Sequence, residues 1–167
     1  MSRKQIIAAL ALLPLVVFVV MLLLSGSRDT PGAFLGGGPF ASGELHAGPE
    51  PDWSFLVDRE LIEMQLVDPP RSRVVWVAVY EGKPYVVSGF MGGLLGSLWK
   101  HWPAQAERDG RAILRVDGKQ YERQLVRITS GRAVMEGVSA ELDRKYGFGG
   151  ADSIEAGDTW LFELAPR

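Results

Sequence analysis

The chain has 167 residues, 47% of them hydrophobic and 23% charged, which suits one ordinary globular domain with some additional sequence. The absence of cysteine excludes disulfides, thiolate metal sites and a lipid-anchored lipoprotein. The chain has 18 basic and 20 acidic residues, and 16 basic residues remain when Arg3 and Lys4 are set aside with the N-terminal segment. A domain of this acidic balance lacks the positive surface on which nucleic-acid binding depends.

The N-terminal segment contains a long apolar run. Ile6 to Leu24 is an uncharged stretch of 19 apolar residues, interrupted only by Pro14. This length spans a bilayer core of about 30 Å at roughly 1.5 Å per residue, and it exceeds the roughly 7 to 15 apolar residues of a signal peptide. We interpret residues 1–27 as an uncleaved signal anchor; a cleaved signal peptide and a buried helix are the alternatives.

Charges at the two ends of this run predict its orientation. Arg3 and Lys4 precede it, whereas Arg28 and Asp29 cancel after it, so the positive-inside rule places the N-terminus in the cytoplasm. The remaining chain is then periplasmic or extracellular, next to the cell membrane.

A glycine- and proline-rich segment follows. Residues 25–50 contain seven glycines and three prolines, too many for a packed helix or a central strand. We interpret residues 28–50 as a tether. Four of its residues are apolar and could dock on the domain that follows: Phe34, Leu35, Phe40 and Leu45.

Residues 51–167 have strand periodicities and form the predicted domain. Leu61 to Val67 is a strand that ends at Pro69-Pro70. Arg73 to Tyr80 and Tyr85 to Ser88 form a hairpin around Glu81-Gly82. Arg111 to Val116 and Gln120 to Thr129 form a second hairpin around Asp117-Gly118, and Thr159 to Leu164 is the last strand.

Two predicted helices interrupt these strands. Ser97 to Arg108 lacks strand alternation and contains helix formers around Pro103. Ala133 to Tyr146 has apolar residues at every fourth position, and Gly147 is placed for a C-terminal cap. The predicted fold is mainly β, a six-stranded antiparallel barrel with two or three helices, preceded by one transmembrane helix.

Four segments, in order, resemble the pyridoxamine 5′-phosphate oxidase-like split-barrel superfamily. They are DWSF at 52–55, VWVAVYEGKPYVVSG at 75–89, SLWKHWPAQAERDGRAILRVDGKQYERQLVRIT at 97–129 and ELDRKYGF at 141–148. In these proteins a strand pair is followed by a Trp-containing turn into a basic helix, a hairpin, a helix that ends in Lys-Tyr-Gly and a closing strand. The resemblance covers about residues 52–165 and implies a six-stranded split barrel.

The resemblance also implies a homodimer with flavin mononucleotide (FMN), a related flavin, a deazaflavin or haem bound between subunits. Lys100 matches a phosphate-binding residue by position, with Ser88 and Ser97 as hydroxyl donors, and backbone N–H groups at a helix start suit a phosphate. The remaining candidates for cofactor binding, in the aromatic- and glycine-rich turn, are Gly92, Gly93 and Trp99.

One departure from the family pattern bears on function. Flavin-binding relatives carry an Arg followed by Thr or Ser on the strand before this turn, whereas the stretch YVVSGFMGG at 85–93 has no basic residue. This difference favours a membrane-tethered domain with a non-catalytic binding role. The alternative is an oxidoreductase that uses FMN or a deazaflavin at a dimer interface.

Each candidate also has a structural interpretation. Glycines of the turn permit positive φ in a loop, Trp99 and Trp102 pack one face of a helix, and Lys100 is solvated. The arginines of the second hairpin form one solvated face, with an anionic ligand or acidic partner as the alternative: Arg111, Arg115, Arg123 and Arg127. Asp143, Arg144 and Lys145 are surface charges at a helix end.

The sequence assigns no catalytic residue and no metal site. The two histidines, His46 and His101, are far apart in the chain. Ser97 lies in no G-x-S-x-G motif, and the acidic residues Asp58, Glu60 and Glu63 have no spacing that singles out an acid–base pair.

Overall fold

The structure is a computed structural model that describes residues 3–32, 36–92 and 101–167, with side chains from residue 12 onward except 22 and 23. The first element is a helix, α1 (Arg3–Ser25), which continues through Pro14. The apolar side chains described in α1 are about half exposed, at 44–58%. Over the described part of the chain, no helix is both long and apolar enough to cross a membrane.

Six antiparallel strands close into a barrel. They are β2 (Leu61–Leu66), β3 (Arg71–Tyr80), β4 (Lys83–Ser88), β5 (Arg111–Val116), β6 (Lys119–Ile128) and β7 (Trp160–Pro166). The strand order is β6-β5-β2-β3-β4-β7, and pairing between β6 and β7 completes the closure. A two-residue strand, β1 (Glu44–Leu45), adds to β6 in parallel. The predicted strands and the antiparallel barrel are confirmed.

The two predicted hairpin turns have the backbone that their sequences favour. Glu81 and Gly82 have φ of 49° and 72°, and Asp117 and Gly118 have φ of 50° and 77°. Positive φ at both central residues is characteristic of the type I′ turn, whose twist matches that of paired strands. These turns fix the register of β3 with β4 and of β5 with β6.

The barrel interior is apolar, and one end of it is covered by a helix. Alternate residues of each strand point inward, such as Val75, Val77 and Val79 of β3. The helix α2 (His101–Arg108) adds Trp102 and Ala106 to this core, and a 3₁₀ turn (Trp53–Leu56) adds Trp53 and Leu56. Burial of Trp102 confirms the packing that was predicted for it.

A second apolar cluster lies outside the barrel. Outward-facing residues of β3 and β4, such as Ala78 and Tyr85, pack against α3 (Arg132–Tyr146) and the short helix α4 (Ala151–Glu155). Gly147 ends α3 with φ 69°, as predicted. The sequence analysis did not predict α4, which has only five residues and follows two glycines.

The segment predicted as a tether contacts the barrel at several points. Gly37 pairs with Ser72 of β3, and the Phe40 backbone N–H donates to Gln65 Oε1 at 2.5 Å. Phe40 also lies under Arg115, with the guanidinium 4.1 Å from the ring centroid. Leu45 is 54% exposed, and Phe34 and Leu35 lie outside the described residues. Of the four apolar residues expected to dock, Phe40 does so.

Candidate functional site

A cavity lies between the barrel and its helices. It has a volume of about 710 Å³ and opens beside the turn that follows β4. Its walls come from β3, the turn, α3, the loop after α3, α4 and the turn before β7. Volumes of this order hold drug-sized ligands. The lining is mainly apolar, with Trp76, Phe90, Leu142, Phe148 and Ile154 among its members.

Aromatic side chains form one wall of the cavity. Trp76 occupies an outward-facing position of β3 and remains 41% exposed. Its ring centroid lies 4.8 Å from that of Phe148 and 5.6 Å from that of Tyr146. Phe90, in the turn, is 81% exposed at φ 60°. Such a positive φ is uncommon for a bulky residue.

A few polar groups also line the cavity. Ser139 of α3 is 7% exposed, and its Oγ has no hydrogen-bond partner among the described residues. The hydroxyls of Ser153 and Thr159 lie 2.7 Å apart and satisfy each other. Asp158 provides the one carboxylate of the described lining, and no described cation lines the cavity. A mostly apolar cavity with a few fixed polar groups is typical of a small-molecule site.

The glycines of the turn have a different role from the predicted one. Positive φ occurs at Phe90, whereas Gly89 and Gly92 do not have it. Gly92 instead leaves room for the Asp158 carboxylate, which would have to shift if a Cβ were present there. The Met91 N–H donates to the Asp158 carbonyl at 2.7 Å, which holds the turn against the loop before β7. The prediction that these two glycines supply positive φ is therefore wrong.

The predicted cofactor-binding residues are distributed as follows. Gly92 lines the cavity. Ser88 is buried at the end of β4, where its hydroxyl points to Met91 Sδ at 3.4 Å, and it does not line the cavity. Four further candidates lie outside the described residues: Gly93, Ser97, Trp99 and Lys100. Of the two candidates that the structure describes, Gly92 lies at the cavity and Ser88 does not.

The described residues fit one part of a flavin better than the other. The aromatic wall suits a planar ring system. A phosphate needs cations or several converging N–H donors, and the charged group beside Gly92 is the Asp158 carboxylate. The described lining therefore fits a planar ring without a phosphate. Lys100 remains a prediction for the phosphate.

The hairpin arginines do not form one solvated face. Ala112 pairs with Arg123 and Arg111 with Gln124, so the register places the arginines of β5 and those of β6 on opposite sides. Arg115 is 7% exposed and binds Glu63 at 2.6 Å and Asp29 at 2.7 Å. Each of the four arginines has a carboxylate partner within the chain. The solvated-face prediction is wrong because these arginines hold loops and strands together.

Lys145 is likewise not a plain surface charge. Its Nζ donates to the carbonyls of Leu56, Arg59 and Val77 at 3.2, 2.5 and 2.6 Å. The neighbouring Tyr146 hydroxyl lies 2.6 Å from the Glu60 carbonyl. Burial lowers the pKa of Lys145 and raises that of Tyr146. The end of α3 is therefore fastened to β3 and to the loop before β2.

Most of the cavity residues were missed by sequence reasoning. Trp76 could have been found, because it alternates with the inward-facing valines of β3 and must point outward. Phe148 follows the Lys-Tyr-Gly segment, where an exposed aromatic residue next to glycines indicates a loop site. Ser139, Asp158 and Thr159 had no comparable signal, because tertiary packing alone brings them together.

Two solved structures are similar to part of this chain. A crystal structure of a pyridoxamine 5′-phosphate oxidase-like protein from Listeria innocua is 13% identical, covers 68% of this chain and 89% of that chain, and has a TM-score of 0.48. The crystal structure of the conserved hypothetical protein Rv2991 from Mycobacterium tuberculosis is 11% identical, covers 77% and 85%, and has a TM-score of 0.49. No protein-family model and no curated protein matches the sequence.

The barrel itself is the architecture that the sequence resemblance implied. Six antiparallel strands, closed in the order given above, agree with the split-barrel superfamily, so the prediction is confirmed at the level of fold. Neither similar structure assigns a ligand or a residue role to this chain.

Proposed function

We propose that the chain is a membrane-anchored split-barrel domain that binds a planar, mostly apolar molecule without catalysing its conversion. The observation that carries this proposal is the cavity of about 710 Å³ with Trp76 and Phe148 on its wall and Phe90 at its rim. Aromatic side chains stack on planar ligands, and the large exposed area of Trp76 is available for that contact.

Ser139 gives the cavity a point of polar recognition. Its buried hydroxyl lacks a hydrogen-bond partner among the described residues, and an unsatisfied buried polar group costs about 1–3 kcal/mol. Rotation of this side chain towards the cavity would let a ligand carbonyl, hydroxyl or ring nitrogen satisfy it. The proposed ligand is therefore a ring system with at least one polar edge atom.

The anchor is proposed from the N-terminal sequence. Ile6 to Leu24 carries no charge, and the described apolar side chains of α1 are about half exposed rather than packed on the barrel. Exposed apolar surface of this extent favours burial in lipid. We place the barrel on the periplasmic or extracellular side. Alkaline carbonate extraction of the full chain tests the anchor: it should remain in the membrane pellet.

Binding is tested with two forms of one ring. The full chain in nanodiscs is titrated with riboflavin and with FMN, and quenching of the flavin fluorescence gives the dissociation constants. We expect riboflavin to bind and FMN to bind no more tightly, because no described cation faces the cavity. Trp76→Ala should weaken riboflavin binding about fivefold through loss of stacking.

Phe55→Ala is the matched control, since Phe55 is also an aromatic residue with 43% exposure but does not line the cavity. It should leave binding unchanged. Absence of binding by either flavin would contradict a site for a planar ring of this size. Equal losses in the two variants would place the flavin elsewhere.

A flavin- or deazaflavin-dependent oxidoreductase is the second candidate, supported by the position of the aromatic cavity next to the turn that leads to Lys100. When bound, the flavin would supply the hydride chemistry. FMN that binds at least tenfold more tightly than riboflavin, with loss of this difference in Lys100→Ala, would favour the enzyme. An absorbance band near 450 nm in the purified chain, from a released flavin that mass spectrometry identifies as FMN, would do the same.

A homodimer remains a prediction from the family resemblance. Trp76 at 41% exposure and Val126 at 44% exposure are apolar residues that a second copy could cover. Light scattering of the full chain in detergent, corrected for the micelle, should give twice the chain mass. A monomer would contradict the dimer without affecting the binding proposal.

A further inference from the structure

The arginines whose side chains are described fall into two groups. Eight have a carboxylate within ion-pair distance: Arg59, Arg111, Arg115, Arg123, Arg127, Arg132, Arg144 and Arg167. Four have no such partner among the described residues, and we call them the anchor-end arginines: Arg28, Arg71, Arg73 and Arg108. The residues that are not described contain no Asp or Glu that could pair with them.

The first three anchor-end arginines lie where the chain leaves α1. The Gly38 N–H donates to the Arg28 carbonyl at 2.8 Å. The preceding residue, Gly37, pairs with Ser72, with hydrogen bonds of 2.9 and 3.2 Å in the two directions. Ser72 lies between Arg71 and Arg73 in β3. The Arg28–Gly38 and Gly37–Ser72 backbone hydrogen bonds therefore bring Arg28 close to both arginines.

Arg108 joins the same end of the barrel through α2. Gln105, one turn before it, donates from Nε2 to the carbonyls of Asp68 and Pro69 at 2.7 and 3.0 Å. These carbonyls belong to the turn that leads directly into Arg71. Asp68 is the acidic residue of this turn, and the remaining acids nearby are engaged: Asp29 by Arg115, Asp109 by Arg111 and Glu107 by Arg127. Four arginines against one free carboxylate leave this end positive.

The chain at the exit from α1 is held firmly against the barrel. Ser25 is 1% exposed, and Asp29 binds Arg115 while it accepts hydrogen bonds from Ala41 N–H and the Ser42 hydroxyl. These hydrogen bonds, with that of Ser42 foremost, lower the pKa of Asp29, so its charge persists. The anchor-end arginines therefore cannot drift far from the C-terminal end of α1.

We propose that the anchor-end arginines bind the anionic phospholipid headgroups of the membrane that holds α1. The inference rests on the proposed anchor, because α1 would deliver this end of the barrel to the lipid surface. Arg28, Arg71 and Arg108 are exposed and can donate bidentate hydrogen bonds to phosphate. Arg73 is half-buried over Trp102, 5.7 Å from the ring centroid, and adds positive potential behind them.

Site-resolved modification of arginine tests the proposal. The full chain is placed in nanodiscs of phosphatidylcholine alone, or with about one third phosphatidylglycerol, treated with phenylglyoxal and analysed by peptide mass spectrometry. We expect the reactivity of Arg28, Arg71 and Arg108 to fall about fivefold in the anionic nanodiscs, the factor expected for one basic residue at an anionic surface. High salt should remove this protection.

Arg59 is the reference within the same molecule. Arg59 binds Asp117 at 2.7 Å, in the turn that follows β5. The anchor-end arginines lie at the opposite end of β5, where the Val67 N–H donates to the Arg111 carbonyl just before the turn that leads to Arg71. The length of β5 separates the two ends by about 20 Å, roughly two screening lengths. The reactivity of Arg59 should therefore be equal in both lipid mixtures.

A matched pair of variants adds a second readout. Arg71→Gln should reduce the lipid-dependent protection of Arg28 and Arg108, whereas Lys119→Gln, which removes an exposed charge at the other end of β5, should not. If Arg28, Arg71 and Arg108 are as reactive in anionic nanodiscs as in phosphatidylcholine nanodiscs, the lipid contact is overturned and the anchor is unaffected. Loss of the chain from the nanodiscs would refute the anchor and, with it, this proposal.

Protection that appears equally when inorganic phosphate is added to phosphatidylcholine nanodiscs would identify a site for a soluble anion and overturn the lipid assignment.

Discussion

Two regions of the molecule use cations in opposite ways. Along the β5–β6 hairpin and at the end of α3, cations are enclosed by acceptors, as Arg115 is by Glu63 and Asp29 and Lys145 is by three carbonyls. At the exit from α1, the anchor-end arginines have no carboxylate among the described residues. The cations of the first region are paired within the fold, whereas those of the second remain available to bind an anion.

This difference separates structural charges from charges available for interaction. Removing one partner of a buried ion pair leaves the other charge uncompensated, which is strongly destabilising. Removing an exposed, unpaired charge usually changes stability by less than about 0.5 kcal/mol. Substitutions in the two regions should therefore affect different measurements, stability in one and membrane contact in the other.

The largest effect on stability is expected at Arg115. Arg115→Met keeps the apolar stem but leaves Glu63 and Asp29 facing each other without the guanidinium. We expect the free energy of unfolding to fall by about 3 kcal/mol, measured by urea unfolding of the full chain in detergent with tryptophan fluorescence.

Arg71→Met is the control, because Arg71 is an exposed arginine of the unpaired region. It should change the free energy of unfolding by no more than about 0.5 kcal/mol. Similar losses in the two variants would show that the distinction between the two regions is incorrect.

A smaller loss is expected at Lys145. Lys145→Met removes the donor shared by the carbonyls of Leu56, Arg59 and Val77, and we expect a loss of about 2 kcal/mol. Amide exchange of residues 57–60 should also accelerate, because the loop would lose its contact with α3. Lys119→Met, at an exposed cation of β6, should do neither. If the free energy of unfolding falls but amide exchange of residues 57–60 is unchanged, Lys145 does not hold this loop against α3.

Sequence reasoning reached the barrel because local signals determine most of it. Asp117-Gly118 and Glu81-Gly82 specify tight turns, and the alternation in the flanking strands specifies which side is buried. The helix α4 was missed because five residues between glycines carry no helical period. The arginines of the second hairpin were placed on one face because alternation was applied along each strand without the register across the turn.

The candidate site was less accessible to sequence reasoning. The cavity is assembled from six segments of the chain, and only Trp76 could have been assigned to it from strand alternation. Gly92 was correctly predicted to lie at the candidate site, but the predicted positive φ was wrong. It leaves room for the Asp158 side chain. Lys145 was taken as a surface charge because its three acceptors are backbone carbonyls, which leave no mark in the sequence.

The smallest expected change in the free energy of unfolding is at Arg73, where substitution should stabilise the fold. It is the half-buried member of the anchor-end arginines, its Nε has no partner among the described residues, and burial together with the charge of Arg71 lowers its pKa to about 10. A base with a lowered folded pKa destabilises the fold at neutral pH, and this penalty is relieved as pH rises from about 10 towards the unfolded value. Arg73→Met should therefore raise the free energy of unfolding by about 1 kcal/mol at pH 7 and by less at pH 11. A loss of stability at pH 7 would instead show that Arg73 has an anionic partner in the protein as purified, and the comparison between the two regions would need to be redrawn at this position.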